Sequence, residues 1–128
     1  MPSQLFKEKI PLDILFNFLN SCSNLDNGIY RFGINEYKKA IFNDLISSFI
    51  NIIKSYYYLS KQHYIERKMT YKHLITIIRQ ICNHMNIPYI SKIVYNKSSY
   101  EIIYYISNVD SSIYTIANKQ LAHNGVAF

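Results

Sequence analysis

The chain has 128 residues, of which 49% are hydrophobic and 17% charged, and its formal net charge is +6. This length fits one domain, 1–128, with a core of its own, and the high hydrophobic fraction excludes a disordered chain. Tyr and Phe are abundant and Trp is absent, but A/T-rich codons explain part of this bias. Aromatic and lysine counts by themselves therefore carry little functional weight.

The first predicted element is a helix over residues 11–21, which follows a flexible lead over 1–9. Pro11 suits the first turn of that helix, because its missing N–H would have no partner there in any case. An Asn-Gly turn then precedes a short strand at 29–32.

A long apolar pattern follows, in which no Pro or Gly occurs between Gly33 and Pro88. Apolar residues recur every three or four positions and predict a second helix over 36–66, with Asn35 as its N-cap. Its apolar face is wide enough to be covered on more than one side. At ~1.5 Å per residue it would be about 45 Å long, so we expect a bend or break within it.

The stretch "TYKHLITIIRQICNHMN" predicts a third helix over 70–86. Thr70 can cap its start, and Asn86 and Pro88 can end it. Its apolar positions form one buried stripe that includes Cys82. The polar side of the helix carries Lys72, Thr76, Arg79 and Asn83.

The next segment predicts a β-hairpin with strands at 90–95 and 100–106, because β-branched and aromatic residues flank the turn-prone "NKSS". Both faces of the second strand are apolar. We expect one face to rest on the helices and the other to meet another strand or another chain. The tail, 107–128, can hold one more short helix or strand over 112–121.

This element order predicts a fold that is mainly α with a C-terminal β-hairpin, an α+β arrangement in which residues 11–106 form the helical core and the hairpin. Three helices followed by a hairpin resemble a winged-helix module, in which a recognition helix enters the major groove and a hairpin contacts the backbone.

Catalytic patterns are weak in this sequence. The eight acids are scattered, no glycine-rich loop is present for phosphates, and the histidines are not spaced as metal ligands. Cys22 and Cys82 have no zinc or disulfide-framework spacing, which favours a reduced, intracellular setting. We therefore predict a protein that is not an enzyme and that takes no cofactor, metal or small-molecule substrate.

The positive charge is concentrated between residues 67 and 106, where Glu101 is the only acid. Such a basic segment on a helix and hairpin predicts nucleic-acid binding, with DNA favoured over RNA. On this reading four residues of the third helix face the groove and the remaining cations bind phosphates. The predicted nucleic-acid-binding residues are Arg67, Lys68, Lys72, Thr76, Arg79, Asn83, Lys92 and Lys97.

Two alternatives remain open from the sequence. The basic helix face can simply be solvated, or the tyrosine-rich segments can serve a protein interface, since Tyr is favoured there. In the second case the chain is a structural or interaction protein that acts as a homo-oligomer, such as a homodimer. No apolar stretch approaches the ~18 residues of a membrane span, and the N-terminus has no signal-peptide layout, so no membrane partner is predicted.

The segment "YYLSKQHYIERKMTYKHLITIIRQICNHMNIPYISKIVYNKSSYEIIYYI", residues 57–106, resembles small uncharacterised proteins of giant DNA viruses of the mimivirus kind. The resemblance is one of pattern and brings no activity, cofactor or catalytic residue with it. It implies a viral protein that works inside an infected host cell, in the cytoplasm or the viral factory, or that is packaged in the virion. DNA packaging, viral transcription and virion structure are the settings it suggests.

Overall fold

The computed structural model describes residues 5–67, 69–95 and 99–107. These residues form five α-helices and one four-stranded antiparallel sheet, an α+β fold. The elements in chain order are α1 (Leu12–Cys22), β1 (Asn24–Asp26), β2 (Ile29–Phe32), α2 (Ile34–Phe42), α3 (Leu45–Ile53), a 3₁₀ turn (Lys54–Tyr56), α4 (Leu59–Glu66), α5 (Tyr71–Met85), β3 (Tyr89–Tyr95) and β4 (Tyr100–Ser107). None of the described helices is long and apolar enough to cross a membrane.

The boundaries of α5 confirm the predicted caps. The Thr70 hydroxyl accepts a hydrogen bond from the backbone N–H of His73, which satisfies one free donor of the first turn. At the other end Asn86 adopts a left-handed conformation with φ of 56°, and the N–H of Ile87 returns to the carbonyl of Cys82. This turn ends the helix two residues before Pro88.

The predicted long helix is broken into α2, α3 and α4, as the length argument required. The first break lies at Asn43 and Asp44, where Asp44 adopts the left-handed conformation with φ of 56°. The Asn43 amide donates to the carbonyl of Lys39 and so occupies an acceptor at the end of α2. Asn and Asp are the residues that tolerate this conformation best after glycine. The second break is the 3₁₀ turn before α4.

The sheet has the strand order β1-β2-β4-β3, with every pair antiparallel. The predicted hairpin is therefore β3 and β4, and it is extended by β2, which pairs with β4 from Ile29 opposite Ser107 to Phe32 opposite Tyr104. The sheet is larger than the hairpin that the sequence predicts, because β1 and β2 form a second hairpin that joins it.

The main core lies between the helices and one face of the sheet, which we call the helix face. Directly paired residues of an antiparallel sheet point to the same side. Tyr30 pairs with Ile106 and Phe32 with Tyr104, and all four belong to or pack against the main core. The opposite face has its own buried apolar residues, which are Ile29, Ile90 and Ile103.

The N-terminal segment differs from the flexible lead that the sequence suggests for 1–9. Phe6 forms a β-bridge with Tyr57, and the N–H of Lys7 donates to the carbonyl of Tyr56 at 2.9 Å. Phe6 and Ile10 are both buried. The ring of Phe6 packs against the Tyr57 ring, with centroids 4.5 Å apart. The burial of these two side chains anchors the segment. The predicted element over 112–121 lies outside the described residues.

Candidate nucleic-acid interface

The exposed side of α5 carries the four polar residues that the sequence places on one face. Lys72, Thr76, Arg79 and Asn83 follow one another at intervals of three and four residues, and all four are exposed. The opposite side of the helix is buried. Helical geometry places these side chains along roughly 16 Å of one surface, which we call the α5 strip.

Arg79 connects the α5 strip to the sheet. Interaction with the side chain of Tyr89, with smaller contributions from Tyr104, raises the pKa of the Arg79 guanidinium. Both tyrosines lie on the helix face of the sheet, because Tyr89 pairs with Ile106 and Tyr104 with Phe32. The positive charge of Arg79 is therefore held against the base of the hairpin.

Lys92 lies on the other side of the sheet. It pairs with Ile103, one position from Tyr104, so its side chain points away from the helix face. On that face it is diagonal to Glu101, the acid of the same segment. The structure therefore separates Lys92 from Lys72 and Arg79, and a nucleic acid lying on the α5 strip would not reach it.

Of the remaining predicted cations, only Arg67 belongs to the described residues. Arg67 is exposed just beyond α4, next to Glu66. A hydrogen bond from Lys54 lowers the pKa of Glu66, and Arg67 adds a smaller effect of the same sign. The charge of Arg67 is thus partly balanced by its neighbour. Lys68 and Lys97 lie outside the described residues.

The α5 helix contains no acidic residue, and the only acid of the following hairpin lies on the face of the sheet that carries Lys92. Glu101 is buried, and its Oε1 accepts a hydrogen bond at 2.9 Å from the backbone N–H of Ile34, at the start of α2. Glu101 projects to the same face of the sheet as Lys92 and is bonded there to the start of α2, whereas Lys72 and Arg79 lie on the α5 strip. Both cations are therefore available to an anionic partner.

Folding does bring two of the scattered acids together, at the N-terminus of α2. Glu36 accepts a hydrogen bond from the N–H of Gly33 at 3.1 Å and forms a salt bridge with Arg31 at 2.6 Å, while Glu101 bonds to Ile34. Negative charge is favourable at a helix N-terminus. These bonds occupy both carboxylates, so the pair caps the helix and anchors it to the sheet.

The far end of the hairpin exposes four large side chains on the helix face, beyond the part that the helices cover. Tyr95 pairs with Tyr100 and Ile93 pairs with Ile102, so all four share one face. The tyrosines are 78% and 66% exposed, and their ring centroids are 6.5 Å apart. We call these four residues the hairpin ladder.

The hairpin ladder lies beside the start of α5. The hydroxyl of Tyr71 donates to the carbonyl of Ile102 at 2.7 Å, which fixes the first turn of α5 against β4. Lys72 follows directly. The sequence pattern indicates that both faces of the second strand are apolar but does not single out the ladder, because only the packing of α5 decides which part of that face is left exposed.

The cysteines and histidines do not form a reactive site in the described part of the chain. Burial raises the pKa of Cys22 to about 11 and that of Cys82 to about 12, so both thiols are protonated at neutral pH. The described residues contain no group of His, Cys, Asp or Glu that could hold a metal ion. The buried position of Cys82 confirms its predicted place in the apolar stripe of α5, where a cysteine packs as a small apolar side chain.

Two cavities between the helices offer little chemistry. One, of about 250 Å³, has a polar lining that includes Ser47, Asn51, Lys54 and Glu66, but the lysine and the glutamate are paired with each other. The other, of about 220 Å³, lies between α1 and α3 and is mostly apolar. Neither brings a nucleophile and a base together.

Comparison of the chain with protein-family models, curated proteins and solved structures finds no match.

Proposed function

We propose that the protein binds nucleic acid through the α5 strip and the adjoining hairpin. The observation that carries the proposal is the α5 strip itself: two cations and two hydrogen-bonding side chains, all exposed on one face of a helix that has no acid. Lysine and arginine on such a surface bind phosphates, while threonine and asparagine bond to phosphates or base edges. The strip continues through Arg79 onto the base of the hairpin.

Duplex DNA fits this surface better than duplex RNA. The major groove of B-form DNA is ~12 Å wide and admits an α-helix, whereas the major groove of A-form RNA is too narrow for side chains to read. The α5 helix is followed directly by the hairpin, and this order supports a docking like that of a winged helix, with α5 in the groove and the hairpin beside the backbone. Four helices, α1 to α4, precede α5 in the chain.

The test is fluorescence anisotropy of labelled duplex DNA at low and at physiological salt. A double variant, Lys72→Ala/Arg79→Ala, is compared with Lys38→Ala/Lys39→Ala, which removes the same charge from α2. These two lysines are a suitable control because both are exposed on α2, and Lys39 lies near enough to Cys22, at the end of α1, to affect its pKa.

We expect the wild-type protein to bind at low salt and to weaken as salt rises. The α5 variant should bind roughly tenfold more weakly, and the slope of log affinity against log salt should fall by about two, since each lost phosphate contact removes about one. The α2 variant should behave like wild type. Equal weakening in the two variants would mean that net charge alone is responsible, and no binding at low salt would refute the proposal.

A further inference from the structure

We infer that the hairpin ladder takes unpaired bases, so that the preferred ligand is a DNA duplex with a single-stranded extension. This inference rests on the proposed function and adds a second class of contact to it. The α5 strip offers charge and hydrogen bonds, which suit a duplex. The ladder offers flat aromatic rings, which can stack on unpaired bases. The bases inside a duplex are already stacked on one another and leave no free face for these rings.

The first observation is the exposure of the two rings. Tyr95 and Tyr100 are 78% and 66% exposed, whereas the other two exposed tyrosines among the described residues, Tyr58 and Tyr64, are 39% and 48% exposed. They pair directly across the two strands, with ring centroids 6.5 Å apart and an angle of 52° between the ring planes. Exposed aromatic rings are the usual platforms for the bases of single strands, because every base has a face that can stack.

The second observation is the position of the rings relative to the charge. Tyr104, Ile102 and Tyr100 follow one another along the same face of β4. Tyr104 contributes to the raised pKa of Arg79, and the carbonyl of Ile102 accepts a hydrogen bond from Tyr71. At ~3.3 Å per residue, Tyr100 lies about 13 Å from Tyr104. A backbone bound at Arg79 and Lys72 can therefore continue along the ladder within a few nucleotides.

The third observation concerns the other residues of the ladder. Ile93 and Ile102 are 48% and 37% exposed and lie between the tyrosines and the helix-covered part of the sheet. They extend the apolar surface next to the rings, so that a stacked base would be shielded from water on one side. The single acid of the hairpin, Glu101, projects to the opposite face and is bonded there to the start of α2.

The experiment compares three labelled DNA probes by anisotropy: a blunt duplex, the same duplex with a short single-stranded extension, and the same duplex with an extension of abasic residues. The abasic probe keeps the phosphates and removes the bases. Two variants test the rings. Tyr95→Phe/Tyr100→Phe keeps the aromatic faces, whereas Tyr95→Leu/Tyr100→Leu keeps apolar side chains without them. Both sites are exposed, and circular dichroism melting checks that each variant folds like wild type.

We expect the base-bearing extension to bind about tenfold more tightly than the abasic one, as one stacked base would give. The Phe variant should keep this difference and the Leu variant should lose it, while both bind the blunt duplex like wild type. Fluorescence of 2-aminopurine placed in the extension should be quenched by wild type and not by the Leu variant.

Two results would overturn the inference and leave the proposed function intact. One is binding to the blunt duplex with no difference between the base-bearing and abasic probes. The other is a wild-type protein that sediments as a dimer and a Leu variant that sediments as a monomer, with the same preference for the base-bearing over the abasic probe in both. This result would assign the ladder to contact with a second copy of the chain. Absence of binding to all three probes at low salt would instead remove the proposed function and this inference together.

Discussion

The substitution Gly33→Ala tests how the start of α2 is held to the sheet. Gly33 has φ of −140°, an extended conformation that any residue adopts, so the backbone itself does not require glycine. Alanine would even gain about 0.4–1 kcal/mol by restricting the unfolded chain. A Cβ at this position, however, would lie 2.5 Å from Oε1 of Glu101 and 3.1 Å from Cγ1 of Ile103.

The expected loss comes from displacing the Glu101 carboxylate. To make room, its Oε1 must leave the N–H of Ile34, to which it is bonded at 2.9 Å in a buried position. A hydrogen bond to a charged group contributes about 1.5–3 kcal/mol, and the gain from the unfolded chain offsets only part of its loss. We therefore expect Gly33→Ala to lower the free energy of unfolding by about 0.5–2.6 kcal/mol.

The assay is urea denaturation followed by circular dichroism, applied as a double-mutant cycle. In a Glu101→Ala background the interfering oxygen is absent, so adding Gly33→Ala should cost little. In a Glu101→Gln background the side chain keeps its size, and the cost of alanine should remain. If the effects of Gly33→Ala and Glu101→Ala add within about 0.5 kcal/mol, the carboxylate does not mediate the effect and the reasoning is refuted.

Three further predictions concern buried polar groups. The hydroxyl of Tyr57 is buried and has no hydrogen-bond partner among the described residues. Tyr57→Phe should therefore raise the free energy of unfolding by about 1 kcal/mol in the same urea assay. A decrease would show that the hydroxyl is bonded. Burial raises the pKa of Cys82 from 9.0 to about 12. Between pH 9 and pH 12 the unfolded chain therefore loses the thiol proton while the folded chain keeps it. The free energy of unfolding should fall as the pH rises above 9. Cys82→Ala should show a smaller alkaline decrease than wild type, and an identical decrease in both would contradict the assignment. At pH 8, Cys22 and Cys82 should react with a thiol reagent only after denaturation, and rapid reaction of the native protein would show that they are accessible.

Local signals predicted the elements that form the candidate interface. The helix expected over 70–86 is observed at Tyr71–Met85, and the strands expected at 90–95 and 100–106 are observed at Tyr89–Tyr95 and Tyr100–Ser107. Capping residues and the change from helical to alternating periodicity act over a few positions, which is why they can be read from sequence. The pairing of β2 with β4 joins distant parts of the chain, and no local pattern specifies such a partner.

The position of the break in the long apolar segment had a weaker signal. Asn43 and Asp44 are the residues that allow it, but neither Gly nor Pro marks the site and the apolar repeat continues on both sides. The length of the predicted helix indicated that a break was needed. Its location depends on how α2 and α3 pack against α1, which is a tertiary effect.

The candidate interface was predictable on the helix and not on the sheet. Spacing along α5 places Lys72, Thr76, Arg79 and Asn83 on one face whatever the surrounding fold. The side to which Lys92 points depends on which face of the sheet the helices cover, and the exposure of Tyr95 and Tyr100 depends on how far α5 reaches along the hairpin. Both are decided by packing, so the sequence pattern groups Lys92 with the α5 cations and does not indicate the hairpin ladder.

The position of β4 between β2 and β3 has a consequence for synthesis of the protein. β2 pairs with a strand that is made almost eighty residues later, from Ile29 to Ser107. At a translation rate of roughly 5–20 residues per second, β2 therefore has only β1 beside it for about 4–16 s. During that interval its other edge is open to pairing with other nascent chains. The strand that covers this edge is β4, which also carries Tyr100 and Ile102 of the hairpin ladder. Pairing of β4 with β2 therefore removes the open edge and completes the proposed ligand surface in the same step.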